Sequence, residues 1–352
     1  MTSICSPDLQ IDPIDRELMR QAQVRLDRLT KPQGSLGRLE SLAQQLVGMT
    51  RSLAPKAARK VIITMAADHG VAEEGVSAYP QAVTAQMVEN FLRGGAAINV
   101  LARHVGASVV VVDMGVAAQL PSSPGLVSRK IGYGTQNLAR GPAMSREAAL
   151  AAIQTGRELV AHEVSQGADL IGTGEMGIAN TTASSAIAAV MTGSSVARVT
   201  GRGTGIDEAA CARKIAVVQR AIEINRPDAA DPIDVLSKVG GFEIAGLVGV
   251  MLGGAAAHRP VVIDGFIAGA SALIAAAMQP NVAGYLVASH LSQEPGHQVM
   301  LERLGLSPLL DLHLRLGEGT GSALAMSLIE ASCKIFAEMA TFDEAGVSGR
   351  VE

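Results

Sequence analysis

Apolar residues recur at helical spacing at the start of the chain. Leu18, Ala22, Leu26 and Leu29 form one stripe, and Leu39, Leu42, Leu46, Met49 and Leu53 form a second, the three-to-four-residue period of amphipathic helices. TKPQGSLGR (30–38) separates them, with Pro32, Gly34 and Gly37 as breakers. From residue 60 the pattern shortens. KVIITMAA (60–67) reads as a buried strand, followed by the loop DHGVAEEGVSAYP and a helix predicted over 82–104. SVVVVDMGV (108–116), ADLIGTG (168–174), SVARVTGRG (195–203), RPVVIDG (259–265), AGYLVAS (283–289) and DLHLRLG (311–317) predict further strands. A last helix is expected over 322–339, with Leu328, Ala331, Ile335 and Met339 turned towards the N-terminal helices.

Most of these strands lead through a glycine-bearing loop into a helix of ten or more residues, which predicts an α/β fold: a Rossmann-like, mostly parallel sheet with helices on both faces. Ligands in such sheets bind beyond the carboxyl ends of the strands. The loops DHGV, GTGEMG, TGRGTG, IDGF and GEGTG all fall there.

Composition narrows the class. Over 352 residues, 48% are hydrophobic and 38 are glycine, while aromatics reach 2% and tryptophan is absent. The core is therefore expected to pack closely through Ala, Val, Leu, Ile and Met. A net charge of −4 gives no basis for nucleic-acid binding, which rests on Lys and Arg at phosphates. Cys5, Cys211 and Cys333 are odd in number and scattered, matching neither a disulfide framework nor a metal site. A reducing, cytoplasmic location is expected. The start, MTSICSPDLQIDPID, lacks the basic and apolar regions of a secretory signal. The uncharged stretches 265–289 and 176–197 are interrupted, by Gln279-Pro280-Asn281 and by Asn180, Thr181, Thr182, Ser184 and Ser185. Neither offers the roughly 20 apolar residues of a membrane span.

Three glycine loops carry the candidate chemistry. GTGEMGIANTTASSAIAAVM (172–191) surrounds Glu175 with glycines and threonines. It contains a G-x-G-x-x-G, but the following apolar helix starts late and the acidic residue of a dinucleotide site is not obvious. TGRGTGIDEAACARK (200–214) is a second loop, with Asp207 as N-cap and Lys214 about two turns in; RLGEGTGSALAM (315–326) sets Glu318 between two glycines. None has the lysine placement of a P-loop. Two such helix starts fit one phosphomonoester held by backbone N–H groups; any one loop reads equally well as a tight βα turn with capping hydroxyls, all of them together less so. Glu175 and Glu318 are the leading acid–base candidates, with Glu73, Glu74, Asp68 and Asp264 nearby. Helix N–H groups would lower their pKa and burial would raise it. A metal reading would gather Asp68, His69, His290, Glu294 and His297, without recognisable ligand spacing. A serine-hydrolase elbow is missing, since Ser271 lies within an apolar helix.

TKPQGSLGRLE (30–40), ADHGVAEEGVSAYPQAV (67–83), GTGEMGIANTT (172–182) and RLGEGTGSAL (315–324) together resemble the nicotinate-nucleotide–dimethylbenzimidazole phosphoribosyltransferases. The matches keep their order over nearly the whole chain. The resemblance implies conversion of nicotinate mononucleotide and 5,6-dimethylbenzimidazole to α-ribazole 5′-phosphate and nicotinate, in cobalamin biosynthesis. It also implies a homodimer, and a small helical domain built from both chain ends. On that pattern 1–56 supplies the N-terminal helices, 57–324 the α/β catalytic domain, and 325–352 a C-terminal helix packing on the small domain. The catalytic base falls on Glu318. The loop 174–178, with Gly174, Gly177 and Ile178, is associated with the phosphoribosyl group, and Tyr79 and Gln81 lie in a stretch expected near the benzimidazole.

Glu175 is read as a carboxylate that stabilises oxocarbenium charge. Gly203 and Lys214 join the phosphate loops. Contacts to the bicyclic base are expected from aliphatic and Met side chains, with Tyr79 or Phe91. The leaving pyridinium departs as a neutral ring, so no general acid is required; attack from the face opposite nicotinate makes the expected reaction inverting, and neither metal nor cofactor is expected. Two other classes stay open at this level: a non-catalytic nucleotide-binding protein, and a metal-dependent hydrolase built on Asp68, His69 and His297.

Overall fold

A computed structural model describes residues 9–349; Cys5 and the outermost ends of the first and last expected segments lie outside them. The N-terminal stripes form α1 (Arg16–Arg28) and α2 (Arg38–Thr50), with Asp15 capping α1 through the Leu18 N–H. Between them the loop 30–37 folds back on a buried ion pair, Lys31 Nζ to Glu40 Oε2 at 2.8 Å. Glu40 also accepts the Leu36 N–H.

The near-continuous apolar runs become the strands. β1 (Lys60–Ala67) is buried along its whole length. α3 (Val83–Leu92) and α4 (Ala97–Val105) replace the single helix predicted over 82–104, because Gly94, in the left-handed region, and Gly95 break it. β2 (Ala107–Gly115) follows, then β3 (Leu126–Ser128), whose three residues are too few to leave a periodic signal. After α5 (Arg146–Ser165) comes β4 (Leu170–Met176), which runs two residues beyond the predicted strand and takes Glu175 with it. α6 (Asn180–Thr192) is next.

The predicted strand at 195–203 is instead a single helical turn, α7 (Val196–Val199), and a loop. The edge of β4 that it would have paired with is filled by the later β5; Val199 packs inward, and its carbonyl accepts from Ser185 Oγ. α8 (Glu208–Asn225), α9 (Pro232–Val239) and α10 (Phe242–Ala256) lead to β5 (Val261–Ile263), α11 (Phe266–Met278) and β6 (Leu286–Ala288). α12 (Pro295–Leu304), α13 (Thr320–Glu338) and α14 (Phe342–Ala345) complete the helices. The predicted strand at 311–317 is absent too. Leu310 makes one bridge to His290, and Leu312 and Leu316 point to solvent, so this alternating stretch runs past the sheet without joining it.

The six strands are all parallel in the order β3-β2-β1-β4-β5-β6. Both faces are covered. A Cβ at Gly246 of α10 would touch Met65, and one at Gly319, beside α13, would touch Ile62, so alternate β1 side chains meet opposite helix layers. α5 and α10 approach until backbones meet: a Cβ at Gly249 would lie 1.9 Å from the Ile153 carbonyl oxygen. Here the glycine content serves close packing.

A separate apolar cluster joins the chain ends: Ala22, Leu26 and Leu29 of the first helical segment, Ala43 and Val47 of α2, and Phe336 of α13. Ile335 and Met339 pack against it as expected, and Phe336 carries the buried contact that the predicted stripe missed. Leu29 and Thr341 pair antiparallel. α13 is continuous from this cluster into the main core, where Ala325, Met326 and Ile329 sit. No helix among the described residues is long and apolar enough to cross a membrane.

Candidate active site

The strand order reverses between β1 and β4, where an open parallel sheet leaves a crevice. A cavity of about 490 Å³ lies at that end of the sheet, lined from the ends of β4, β5 and β6 and the loops at 203–204 and 315–318. A larger hollow of about 1060 Å³ near residues 27–33 and 342–349 is open and holds no buried acid. The smaller cavity collects buried, perturbed titratable groups, the mark of a functional site.

Gly317, Glu318 and Gly319 take φ values of 82, 62 and 100°, three consecutive left-handed residues. Glycine tolerates this; a side chain there is strained, a cost that structures carry mainly at functional sites. The turn lies directly on β4: a Cβ at Gly174 would stand 2.3 Å from the Glu318 carbonyl oxygen, which accepts from Thr64 Oγ1 at 3.1 Å. Gly174 therefore seats the Glu318 turn from below and does not face the cavity. The Glu318 carboxylate, 5% exposed, accepts the Ile98 N–H in the first turn of α4 at 3.2 Å. Burial raises its pKa and the Ile98 N–H opposes the rise, leaving a carboxylate more basic than one in water.

The N–H groups at the start of α13 are not free for an anionic ligand. Asp264, at the end of β5, accepts from Gly319, Gly321 and Ser322 at 3.1, 2.7 and 3.1 Å. Burial, against those three donors and with the Glu318 charge adding to it, still lifts Asp264 to about 7. A carboxylate from another strand has taken the place of a phosphate.

Glu175 lies in β4, not in a loop, and one carboxylate oxygen rests where a Gly317 side chain would stand. The other accepts from the Asn180 side-chain amide. Burial, then the Asp264 and Glu243 charges, raise its pKa to about 8, with Asn180 opposing. It is largely protonated at neutral pH before a cation arrives, a departure from the carboxylate expected from sequence.

The start of α6 is different. Asn180 and Thr182 N–H groups turn back to the Gly177 and Ala179 carbonyls, and the Thr181 N–H has no acceptor among the described residues. Thr181 Oγ1 accepts from Lys214 Nζ at 2.8 Å. Lys214 is wholly buried behind Thr181, and burial lowers it to about 8 against the attraction of Glu294. Gly203 faces the cavity, but its N–H is spent on Glu294 at 2.8 Å; the Ile178 N–H goes to Thr84. Arg315 lines the mouth and donates to the Gly203 carbonyl at 3.2 Å. Gly177 lines the floor, where a Cβ would strike the Ala67 carbonyl.

The rest of the lining is largely apolar: Val83, Met87, Met176, Ile178, Phe266 and Leu316, with Tyr79 exposed at the rim. Gln81 lies outside the lining, and Phe91 is buried in the core. Phe266, Asn180, Thr181 and Arg315 carry no mark as site residues in the sequence, although Arg315 stands inside the RLGEGTG motif and Thr181 inside GIANTT; His290 and Glu294 stand out there only as candidate metal ligands.

The metal set considered from sequence does not converge. His69 Nε2 is 2.6 Å from Glu243 in a fully buried pair, while His290 and His297 stand together elsewhere, ring centroids 6.1 Å apart. No three His, Cys, Asp or Glu side chains among the described residues are grouped to hold a metal ion. Burial holds His290 to about 4 and His297 to about 3. Glu74 pairs with Arg140 and Arg220, and Glu73 with Arg140, at the surface.

A family model described as phosphoribosyltransferase matches residues 11–347. A nicotinate-nucleotide–dimethylbenzimidazole phosphoribosyltransferase of Roseiflexus sp. (strain RS-1) is 60% identical, covering 97% of each chain. That of Geobacter metallireducens is 58% identical over 99% of this chain and 98% of its own. A crystal structure of CobT from Thermus thermophilus superimposes with a TM-score of 0.92 at 49% identity, over 95% of this chain and all of that one (100%).

Proposed function

The chain belongs to the nicotinate-nucleotide–dimethylbenzimidazole phosphoribosyltransferase family, and from that premise we propose how its residues divide the work. The protein transfers the phosphoribosyl group of nicotinate mononucleotide to 5,6-dimethylbenzimidazole, giving α-ribazole 5′-phosphate and nicotinate. One observation carries the assignment of roles. A buried, strained Glu318 stands in a cavity with an apolar wall on one side and the open start of α6 on another.

In this reading the benzimidazole lies on the apolar wall with an N–H towards Glu318. Glu318 takes that proton as the other ring nitrogen attacks C1′. The new N–C1′ bond forms as the bond to nicotinate breaks, and its electron pair returns to the pyridine nitrogen, so no general acid is required. Attack from the face opposite nicotinate inverts C1′. Binding of the pyridinium nucleotide displaces the Glu175 proton to solvent, and the resulting carboxylate stabilises the pyridinium charge and the oxocarbenium charge that follows it. The 5′-phosphate lies at the start of α6, on the Thr181 N–H and hydroxyl, with Arg315 at its outer side and Lys214 polarising Thr181 from behind. Gly177 and Gly203 line this side of the cavity, Gly174 seats the Glu318 turn, Ile178 belongs to the apolar lining, and Tyr79 shields the base.

The test is incubation with both substrates, reading product mass and the anomeric proton by NMR. An α-linked ribotide, formed undiminished after exhaustive chelation, is expected. A β-linked product, or free ribose 5-phosphate as main product, refutes the mechanism; loss of turnover on chelation refutes its metal independence.

A small helical unit built from both chain ends is supported by the separate cluster around Leu26, Val47 and Phe336, but Leu42, Leu46, Ala325, Met326 and Ile329 belong to the main core, so the unit is not cut cleanly at 57 and 325. The free thiols Cys211 and Cys333 fit a cytoplasmic location. A homodimer is supported by the apolar side chains left in solvent, such as Tyr79, Leu312 and Leu316, each more than half exposed. Light scattering on the purified protein tests it.

A further inference from the structure

His290 is 2% exposed, lines the cavity, and has no part in the scheme above. Its proton can be located. Ser289 has a single hydroxyl hydrogen, and it goes to the Asp264 carbonyl oxygen at 2.8 Å, a group that can only accept. Ser289 Oγ is therefore the acceptor in its second contact, at 3.0 Å from His290 Nδ1. His290 carries its hydrogen on Nδ1, and Nε2 is a bare lone pair.

The ring is wedged in place: a Cβ at Gly321 would lie 2.0 Å from Nδ1, and one at Gly265 would lie 3.5 Å from Nε2. No donor among the described residues reaches Nε2. Protonation does not satisfy it, since burial keeps the ring neutral at physiological pH. The cavity thus presents a fixed, neutral acceptor to which a ligand can donate. Of the groups on the two reactants, only the ribose hydroxyls and the benzimidazole N–H can donate, and in the reaction proposed above, on which this rests, the N–H belongs to Glu318.

We propose that His290 is a specificity-determining residue whose Nε2 accepts a hydrogen bond from the 2′- or 3′-hydroxyl of the transferred group, selecting ribosyl over deoxyribosyl donors. A buried acceptor built for a hydroxyl rejects the analogue lacking it far more strongly than an apolar pocket rejects a shape change.

The experiment compares kcat/KM for nicotinate mononucleotide and its 2′-deoxy and 3′-deoxy analogues, at fixed dimethylbenzimidazole, in wild type, H290N and H290Q. Asparagine keeps an N–H towards Ser289 but has no atom at Nε2; glutamine places an oxygen there. Wild type should prefer the ribonucleotide over one deoxy analogue by at least about 100-fold. H290N should lower the ribonucleotide to that analogue's level while leaving the analogue nearly unchanged, and H290Q should recover part of the preference. Equal use of all three donors by wild type overturns the proposal. So does an H290N protein, folded by its melting curve, that keeps the preference or slows all three donors alike. Should H290N fail to fold, loss of all preference in a folded H290Q has the same force. Absence of any transfer by wild type removes the reaction itself, a result distinct from transfer without sugar preference.

Discussion

Helices α6 and α13 begin in loops that look alike in sequence, GTGEMGIANTT and RLGEGTGS, and both start beside the same cavity. Their N-termini are nonetheless in opposite states. At α13 three N–H groups are satisfied by Asp264, a carboxylate delivered by β5. At α6 the Thr181 N–H has no acceptor among the described residues, and a buried lysine stands behind the Thr181 hydroxyl. A glycine-rich helix start is thus an anion site only if the fold has not already supplied the anion. In the proposed scheme the capped start is a rigid mount for the Glu318 base, and the open one takes the phosphate.

The sharpest way to break this contrast is at the mounted base. E318Q should keep the fold and both substrates but lose about 10²–10⁴-fold in kcat; near-wild-type turnover would end the assignment. Next is the mount. D264A leaves three N–H groups unpaired and should cost about 2–3 kcal/mol in urea unfolding. It should also lower kcat by roughly 10–100-fold, because Glu318 is no longer held in register. Unchanged stability and rate would mean that the cap is dispensable.

On the open side, T181V keeps volume and removes the hydroxyl that links Lys214 to the phosphate. The nucleotide KM should rise about tenfold, the effect of roughly 1.4 kcal/mol, with the base KM unmoved. An equal rise for both substrates would place Thr181 outside the phosphate site.

The smallest effect is in pH. Glu175, near 8 in the free protein, must lose its proton to meet the pyridinium, so kcat/KM for the nucleotide should rise towards pH 8. Lys214, also near 8, must keep its proton to favour the phosphate, so the profile should fall beyond it. E175Q should lose the rising limb near pH 8 and K214M the falling one; a limb that survives its substitution belongs to another group.

Much of the architecture was legible because it is written in local terms. Runs such as KVIITMAA and SVVVVDMG are apolar on both faces, which only a strand between two helix layers requires. Four long motifs in register carried the family resemblance, and the glycines around Glu318 marked a turn that a side chain at other positions would obstruct. The failures were of two kinds. SVARV and DLHLRL have strand-like alternation, but for SVARV the free edge of β4 was taken by β5 from some sixty residues later, and DLHLRL reaches the sheet only through the single bridge of Leu310 to His290. The loop N–H groups at 174–178 and 202–205 read as equivalent phosphate donors, whereas the Ile178 and Gly203 hydrogens go to Thr84 and Glu294.

Fold class, most of the strand runs and the exceptional loop at Glu318 follow from sequence alone, because residue type and spacing suffice for hydrophobic period and backbone freedom. Tertiary structure decided which helix start is capped, that burial raises the Glu175 pKa to about 8, that Lys214 reaches Thr181 from the buried side, and that His290 Nδ1 faces Ser289. Each of these depends on desolvation or on a hydrogen-bond partner from a distant segment. Both are properties of three-dimensional neighbourhood, and spacing along the chain carries no record of them.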